Sequence, residues 1–336
     1  MTDELTVDDR LTRTLARARG LTAGPVGTDH LLYAVAHDEH AGALLDTFDV
    51  TPIVVVTVVK TAGRVTNEPV DPAPTDSPTV RTADGRPLPV SATAEAALRS
   101  VADSQAAVRS AGDGSRAAVR SVADDSRVAL LAALLEDPAS EACGVLRSAG
   151  VDVDAVRAAA RAGHAERGED RVPPELRPAR DALLGRVRYR GRGLKDKLLF
   201  SVFAREVNHA AHPVMWIRAE ADERARRQKR ATRTDDLLLA LLVTHEVAAG
   251  YPHMAAGAAD GEAPAAGRYG GGDTLLARGI DHRRVRAVTL DDRPDEVPAD
   301  KILKPGPDWP EDTGVLLERL TAHPGNRSAR ILAALA

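Results

Sequence analysis

The stretch Thr28–Val58, TDHLLYAVAHDEHAGALLDTFDVTPIVVVTV, decides the fold. It opens as an apolar helix at Thr28 and turns at the polar run His37–His40. A second helix carries the pair Leu44–Leu45, and a third segment starts at Thr51-Pro52. By propensity alone the last part, Ile53–Val59 (IVVVTVV), is a strand, because β-branched residues suit a pleated surface. Two other stretches carry the same plan and resolve this conflict. One is RVALLAALLEDPASEACGVLRSAGVDVDAVRAA from Arg127. The other is TDDLLLALLVTHEVAAGY from Thr234, resuming as DTLLARGIDHRRVRAV from Asp273. From Val128 to Gly150 is 22 positions. From Asp235 to Gly279 is 44, the excess falling on a Gly/Ala-rich loop, and from Asp29 to Asp49 is 20. In this register Thr51 is a helix N-cap, Pro52 the first helical residue, and Ile53–Val59 a helix. Its β-branched residues cost a few tenths of a kcal/mol each, against about 1.5–3 kcal/mol from burying each Val or Ile.

Helical spacing extends outward from these stretches. Leu11, Leu15 and Ala18 stand at i, i+4 and i+7, and Leu98 with Val101 begins a later set. Strict alternation is nearly absent, so the chain reads as all-α. The breaks are compositional. Asn67–Pro89 is proline-rich with almost no periodicity, Ala162–Pro178 contains Pro173–Pro174, and Gly257–Gly272 (GAADGEAPAAGRYGGG) has little to bury. An acidic, proline-rich tail from Asp291 to Thr313 precedes a short helix over Asn326–Leu335.

The chain has 336 residues, 43% hydrophobic and 28% charged, which excludes a disordered polymer and suits about two domains. Aromatics are only 3%, so Leu, Val and Ala must build the core. The longest apolar runs, Ile53–Val56, Leu198–Phe200 and Leu237–Val243, fall far short of the ~18 residues that span a bilayer. The start, MTDELTVDDR, lacks the apolar core of a secretory signal. The single cysteine, Cys143, cannot form an internal disulfide, and a reducing, cytoplasmic location is expected. The net charge of −4 argues against a nucleic-acid coat protein. It conceals a polarity: Arg171–Arg233 holds 17 Lys/Arg against 7 Asp/Glu, a balance of +10 that leaves −14 elsewhere. Such a split suggests contact between parts of the chain or with an acidic partner.

The run Val26-Gly27-Thr28-Asp29-His30-Leu31-Leu32, with Leu5-Thr6 upstream and the Leu-pair helix downstream, resembles the repeat of the Clp N-terminal domain (Clp R domain). That domain stands at the front of Clp-type AAA+ unfoldases and is a double four-helix repeat. The resemblance implies a double repeat over 1–165, with halves 5–60 and 90–162 joined by a linker at 67–89. A basic linker or helix would follow at 166–195. A divergent third repeat would occupy 196–290, carrying the Gly/Ala-rich loop 257–272, and an acidic tail with a terminal helix would fill 291–336. The unfoldases of the family continue into ATPase modules with a Gly-x-x-x-x-Gly-Lys-Ser/Thr phosphate loop. No such string occurs here, and Gly191-Arg192-Gly193-Leu194-Lys195 lacks its spacing. Nor is there a hydrophobic Gly-Phe/Leu loop of the kind that docks a Clp peptidase. The resemblance thus implies a stand-alone N-domain array that does not hydrolyse ATP, a non-enzymatic module binding proteins or peptides. Its partners would be a Clp unfoldase, its adaptors or its substrates, or toxins directed at that surface. The alternative is a nucleic-acid-associated regulator using the basic segment 171–233.

In the family the acidic residue of Gly-Thr-Glu-His lies on the binding surface, and in some members it recognises phosphoarginine. Thr28 and Asp29 match it in the first repeat, and Thr234 and Asp235 in the third, where Asp236 replaces the histidine. In the second repeat Arg127-Val128 take the place, which removes the acid. A carboxylate suits a guanidinium because the two form a two-pronged, charge-assisted pair. The blander reading is that Thr28 caps a helix and Asp29 complements its dipole. With the carboxylate at a helix start, its oxygens are expected to point outward. His30, His37 and His40 share one helix face only if the helix continues past the turn, so no metal site is expected. His245-Glu246 begins like a zinc-protease motif, but Ala249 stands where the second histidine belongs. His209 and His212 have no partner cluster. Ser115, in Gly-Asp-Gly-Ser-Arg, is not a nucleophile elbow, and Cys143 reads as a small buried hydrophobe. No cofactor or catalytic set is expected. The stretches Arg186–Lys197 and Arg218–Arg233 read as solvated basic faces, as docking sites for an acidic protein, or as nucleic-acid contacts.

Overall fold

A computed structural model describes residues 5–65, 77–110, 126–189, 207–256, 265–304, 306–310 and 312–336. The chain divides into two compact units, Met1–Glu169 and Asp170–Ala336. Among the described residues there are 17 α-helices and two short strands. None of these helices is long and apolar enough to cross a membrane. The string Gly191–Lys195, the run Leu198–Phe200, Ser115, and the first half of the loop 257–272 (257–264) lie outside the described residues.

The first unit is built around α2 (Thr28–Ala36), all nine residues of which are buried. Before it comes α1 (Asp9–Arg19), which buries Leu11, Thr14, Leu15 and Ala18 and is capped by Asp8, whose Oδ1 accepts the Leu11 N–H at 2.8 Å. Next come α3 (Glu39–Asp46), with Asp38 as N-cap, and α4 (Pro52–Thr61). Every residue of Ile53–Val59 is buried in α4, so the valine run is helical. Thr51 holds the N-cap position, but its hydroxyl makes no capping bond and is buried without a partner. Position, proline and burial on all sides therefore set this helix, without help from the cap.

The linker 67–89 is not wholly irregular. Its described end forms a hairpin, β1 (Thr79–Arg81) with β2 (Pro87–Pro89), which pairs Val80 with Leu88. Gly85 turns it at φ 80, a conformation that suits glycine. The pairing extends to Thr6 and to Val26 through single bridges, and the Ala83 N–H donates to the α1 hydroxyl Thr12 Oγ1 at 2.9 Å. The all-α reading thus carries one small sheet. Strands three residues long show no usable period, and only Val80 is buried between two exposed neighbours. The second half of the unit comprises α5 (Ala92–Ser110), α6 (Ser126–Leu134), α7 (Glu141–Ser148) and α8 (Val153–Ala162). Helix α2 packs against α1 and α4 of its own half and against α6 and α7 of the other.

The second unit opens with a 3-10 turn at Pro174–Leu176 and α9 (Arg177–Leu183). A second 3-10 turn at His209–Ala211 leads into α10 (Pro213–Arg227). Then α11 (Thr234–Gly250) runs through the core of the second unit, burying Leu237–His245 without a break. After it come α12 (Pro252–Ala255), α13 (Gly270–Ala277) and α14 (His282–Ala287). The residues from Asp291 onward are part of this unit. They form α15 (Ala299–Ile302), α16 (Thr313–Thr321) and α17 (Arg327–Leu335). Helix α16 packs on α13, and α17 packs on α11, burying Ile331 and Leu332.

Burying these two side chains is worth about 1.5–3 kcal/mol each. Deleting Asn326–Ala336 is therefore expected to lower the melting temperature of the second unit by roughly 5–15 °C. Calorimetry of the full and shortened chains checks this, and an unchanged melting profile would show that α17 contributes nothing.

Candidate functional site

Both motif sites lie at the start of a central helix. At α2 the Gly27 N–H donates to His30 Nδ1 at 3.0 Å, so His30 Nε2 carries the proton and donates to the Arg64 carbonyl at 3.1 Å. Both His30 nitrogens are thereby used within the fold. A Cβ at Gly27 would stand 2.7 Å from Asp29 Oδ1, so the approach of this loop requires glycine. Thr28 is the first helical residue, one place past the cap. Its hydroxyl donates to Glu141 Oε2 at 2.6 Å and accepts the Ala142 N–H at 3.1 Å, joining the start of α2 to the start of α7.

Asp29 does not offer its oxygens outward. It is 1% exposed, because the central helix is covered on every side. Its Oδ1 accepts the His30 N–H at 2.9 Å, and its Oδ2 has Arg64 at 3.4 Å and no hydrogen bond. A buried carboxylate needs a counter-charge, and Arg64, three residues past the end of α4, supplies it.

At α11 the roles recur with different partners. The Thr234 hydroxyl donates to Asp295 Oδ1 and accepts the Ser328 N–H at 3.1 Å, which joins α11 to α17. Asp235 receives Arg327 Nε at 3.1 Å, while its Oδ1 is buried without a partner. Asp236 takes the part of His30: it accepts the N–H of Arg233, the residue before the helix, at 3.0 Å. It also receives Arg224 at 3.2 Å and Arg230 at 2.8 Å. At the start of α6, Ser126 has a buried hydroxyl without a partner, and Arg127 pairs with Asp38. Burial pushes the Asp38 carboxyl up. The Ala41 N–H and Arg127 outweigh that and hold it below the ordinary carboxylate value.

A fourth site of this kind lies in the stretch read as a tail. Thr313 starts α16, and its hydroxyl accepts the Gly271 N–H at 2.9 Å. A Cβ at Gly271 would stand 2.1 Å from the Thr313 carbonyl. The available signal was the spacing Thr313-x-x-Leu316-Leu317, which matches Thr28-x-x-Leu31-Leu32 and Thr234-x-x-Leu237-Leu238. Arg64, Arg327 and Asp295 carried no local signal.

The other candidates are dispersed. His37 ends α2 and meets Tyr33 edge-on at 4.8 Å. His245 packs against Gly272, while Glu246 accepts from His282 at 2.7 Å. Cys143 is buried in α7 with its thiol 3.3 Å from the Asp137 carbonyl. Among the described residues no group of three His, Cys, Asp or Glu is placed to hold a metal. The arginines of Arg218–Arg233 largely face acids of their own unit: Arg226 and Arg227 pair with Glu223, and Arg224 and Arg230 with Asp236.

A polar cluster stands at the start of α10. Tyr189 donates to Glu220 Oε2 at 2.9 Å and accepts from Trp216 Nε1 at 2.9 Å, and its ring meets His209 edge-on at 5.3 Å. Burial raises the Glu220 carboxyl and lowers the His209 imidazole to about 4.

The chain matches no protein-family model, no curated protein and no solved structure.

His209 and Glu220 act on stability with opposite signs. The lowered His209 value stabilises the fold above its ordinary 6.5, and that stability is lost as the pH falls toward about 4. The raised Glu220 value acts below its ordinary 4.5 and is lost as the pH rises through its folded value. The difference in stability between wild type and His209→Gln is therefore expected to change between pH 6.5 and 4, by at most about 3 kcal/mol. Denaturant titrations across that range measure it. A constant difference would show that His209 is not buried neutral.

Proposed function

We propose that the chain is a non-enzymatic, cytoplasmic binding protein of the Clp protease system, made of Clp N-domain-like repeats without a motor. Its partner would be a peptide, an adaptor, a substrate or a Clp unfoldase. One observation carries this. Thr28, Thr234 and Thr313 each open a Thr-x-x-Leu-Leu helix, and each hydroxyl accepts the N–H of the second residue of a distant helix: Ala142, Ser328 and Gly271. Support also comes from the turns. Asp49, Gly150 and Gly279, the positions matched by spacing, have φ of 61, 68 and 70. Each is followed by a residue whose N–H returns to a leucine carbonyl: Val50 to Leu45, Val151 to Leu146, and Ile280 to Leu275. In this proposal 5–60 and 90–162 form one double repeat. The divergent third repeat in 196–290 is completed by a shortened fourth from the tail 291–336.

Affinity capture from the native cytoplasm, with the full chain as bait, tests the proposal. A Clp unfoldase, an adaptor or unfoldase substrates are the expected catch, resistant to nuclease. Capture that nuclease abolishes would replace the proposal with the nucleic-acid alternative, and an empty catch would end it.

Arginine recognition, where it occurs, requires an exchange. A guanidinium reaches Asp29 only by displacing Arg64, whose side chain is 37% exposed, and Asp235 only by displacing Arg327. Titration with an arginine-phosphorylated peptide should show tighter binding by Arg64→Ala. Asp29→Ala should weaken binding roughly ten- to a hundredfold, the worth of one charge-assisted pair. Equal affinities in all three chains, with the fold intact, would leave Asp29 a structural residue alone.

A further inference from the structure

We propose that a cavity of about 350 Å³ in the second unit receives a lysine or arginine side chain of a peptide partner, a cation on an aliphatic stem. It lies between α10, the turn at Ala231-Thr232, the start of α11 and residues 298–303. This deepens the binding-protein proposal and rests on it for the protein partner; the chemistry of the cavity is separate.

The floor is apolar: Leu237, Ala299 and Leu303 are all but fully buried, with Pro298 beside them. The rim is charged, with Arg218, Asp222 and Asp300. Arg218 is already engaged. Its Nε stands 3.8 Å from Asp222 Oδ2, and its guanidinium lies over the Trp309 ring, 5.7 Å from the centroid. Asp222 also accepts the Thr232 hydroxyl. Arg218 and Asp222 thus cancel within the rim. Asp300 stands in the first turn of α15, and among the described residues it makes no hydrogen bond or ion pair. Among the described residues the lining keeps one uncompensated negative charge above an aliphatic floor.

That arrangement selects among ligands. An anion meets two carboxylates, and the one guanidinium it would need is held by Asp222 and Trp309. An uncharged apolar group fits the floor but strips water from Asp300 without replacing it. A lysine or arginine side chain satisfies both surfaces, its methylenes against Leu237, Leu303 and Pro298 and its charged head at Asp300.

Titration of the full chain with n-pentylamine, n-butylguanidine, n-pentanol and pentanoate isolates the head group on near-constant stems. Ligand-observed NMR at low salt gives the readout. The two cations should bind about two- to fivefold more tightly than pentanol, as for an exposed ion pair, and pentanoate should bind most weakly. The amine and guanidine arms distinguish lysine from arginine. Asp300→Asn should erase the preference for cations without weakening pentanol binding. Ala231→Trp, a filling change at an exposed rim position, should abolish all binding. Pentanol equal to the cations, pentanoate tightest, a cation preference that survives Asp300→Asn, or no binding at all would each overturn the proposal. In the capture experiment Ala231→Trp should lose the partner. Equal capture by wild type and Ala231→Trp would overturn this site while leaving the binding-protein proposal standing. An empty catch with cation binding intact would overturn the peptide partner and spare the cavity's chemistry.

Discussion

The start of a buried helix is the constraint on which both units depend. The first N–H groups of a helix have no partner within it, and burying one unpaired costs about 1–3 kcal/mol. Ala142, Gly271 and Ser328 are such groups, and each is answered by a threonine hydroxyl from a helix 114, 42 or 94 residues away. A hydroxyl serves because it accepts and donates at once: Thr28 also reaches Glu141, and Thr234 also reaches Asp295. Each bond sets one helix start against another. The leucines three and four places after each threonine then lie at a fixed depth along the central helix. Packing of the rest follows from that register.

Charge is arranged around the same helix starts. Negative side chains suit the first turn of a helix, but Asp29 and Asp236 are each 1% exposed, and a carboxylate at that depth needs a positive partner. Arg64 supplies one to Asp29, and Arg224 with Arg230 supply two to Asp236. Most of the described arginines of α10 and the turn after it are likewise paired within their own unit, Arg226 and Arg227 with Glu223 and Arg218 with Asp222. Along the bare sequence they form a basic run, whereas in three dimensions Glu223 and Asp236 are interleaved with them. The rim of the α10–α15 cavity repeats this logic between Arg218 and Asp222, and among the described residues leaves Asp300 over.

Local rules made much of the fold legible. Thr51-Pro52 and the repeat register identified α4 as a helix against the propensity of its valines, and the terminal helix begins at its Asn326 cap. Asp49, Gly150 and Gly279, which a spacing countable in the chain matches, all take left-handed turns. The hairpin at 79–89 was hidden because three-residue strands have no measurable period, and Leu5–Val7 and Val26 complete it from far away. The contribution of Thr313–Leu335 to the second unit was hidden by the acidic, proline-rich residues before it.

Residue order by itself made legible the helices α1–α4, α11 and α17 and the threonines and acids at the first turns of α2 and α11. Those outcomes depend on periodicity, capping and turn conformation, which act over a few residues. The tertiary structure alone decided that Asp29 is buried, that Arg64 and Arg327 neutralise the two motif acids, and that Thr313 meets Gly271. Each of these is a pairing between groups distant in the chain. Such a pairing exists only after packing has excluded water and made an unpaired charge or N–H costly, so no short stretch of sequence records it.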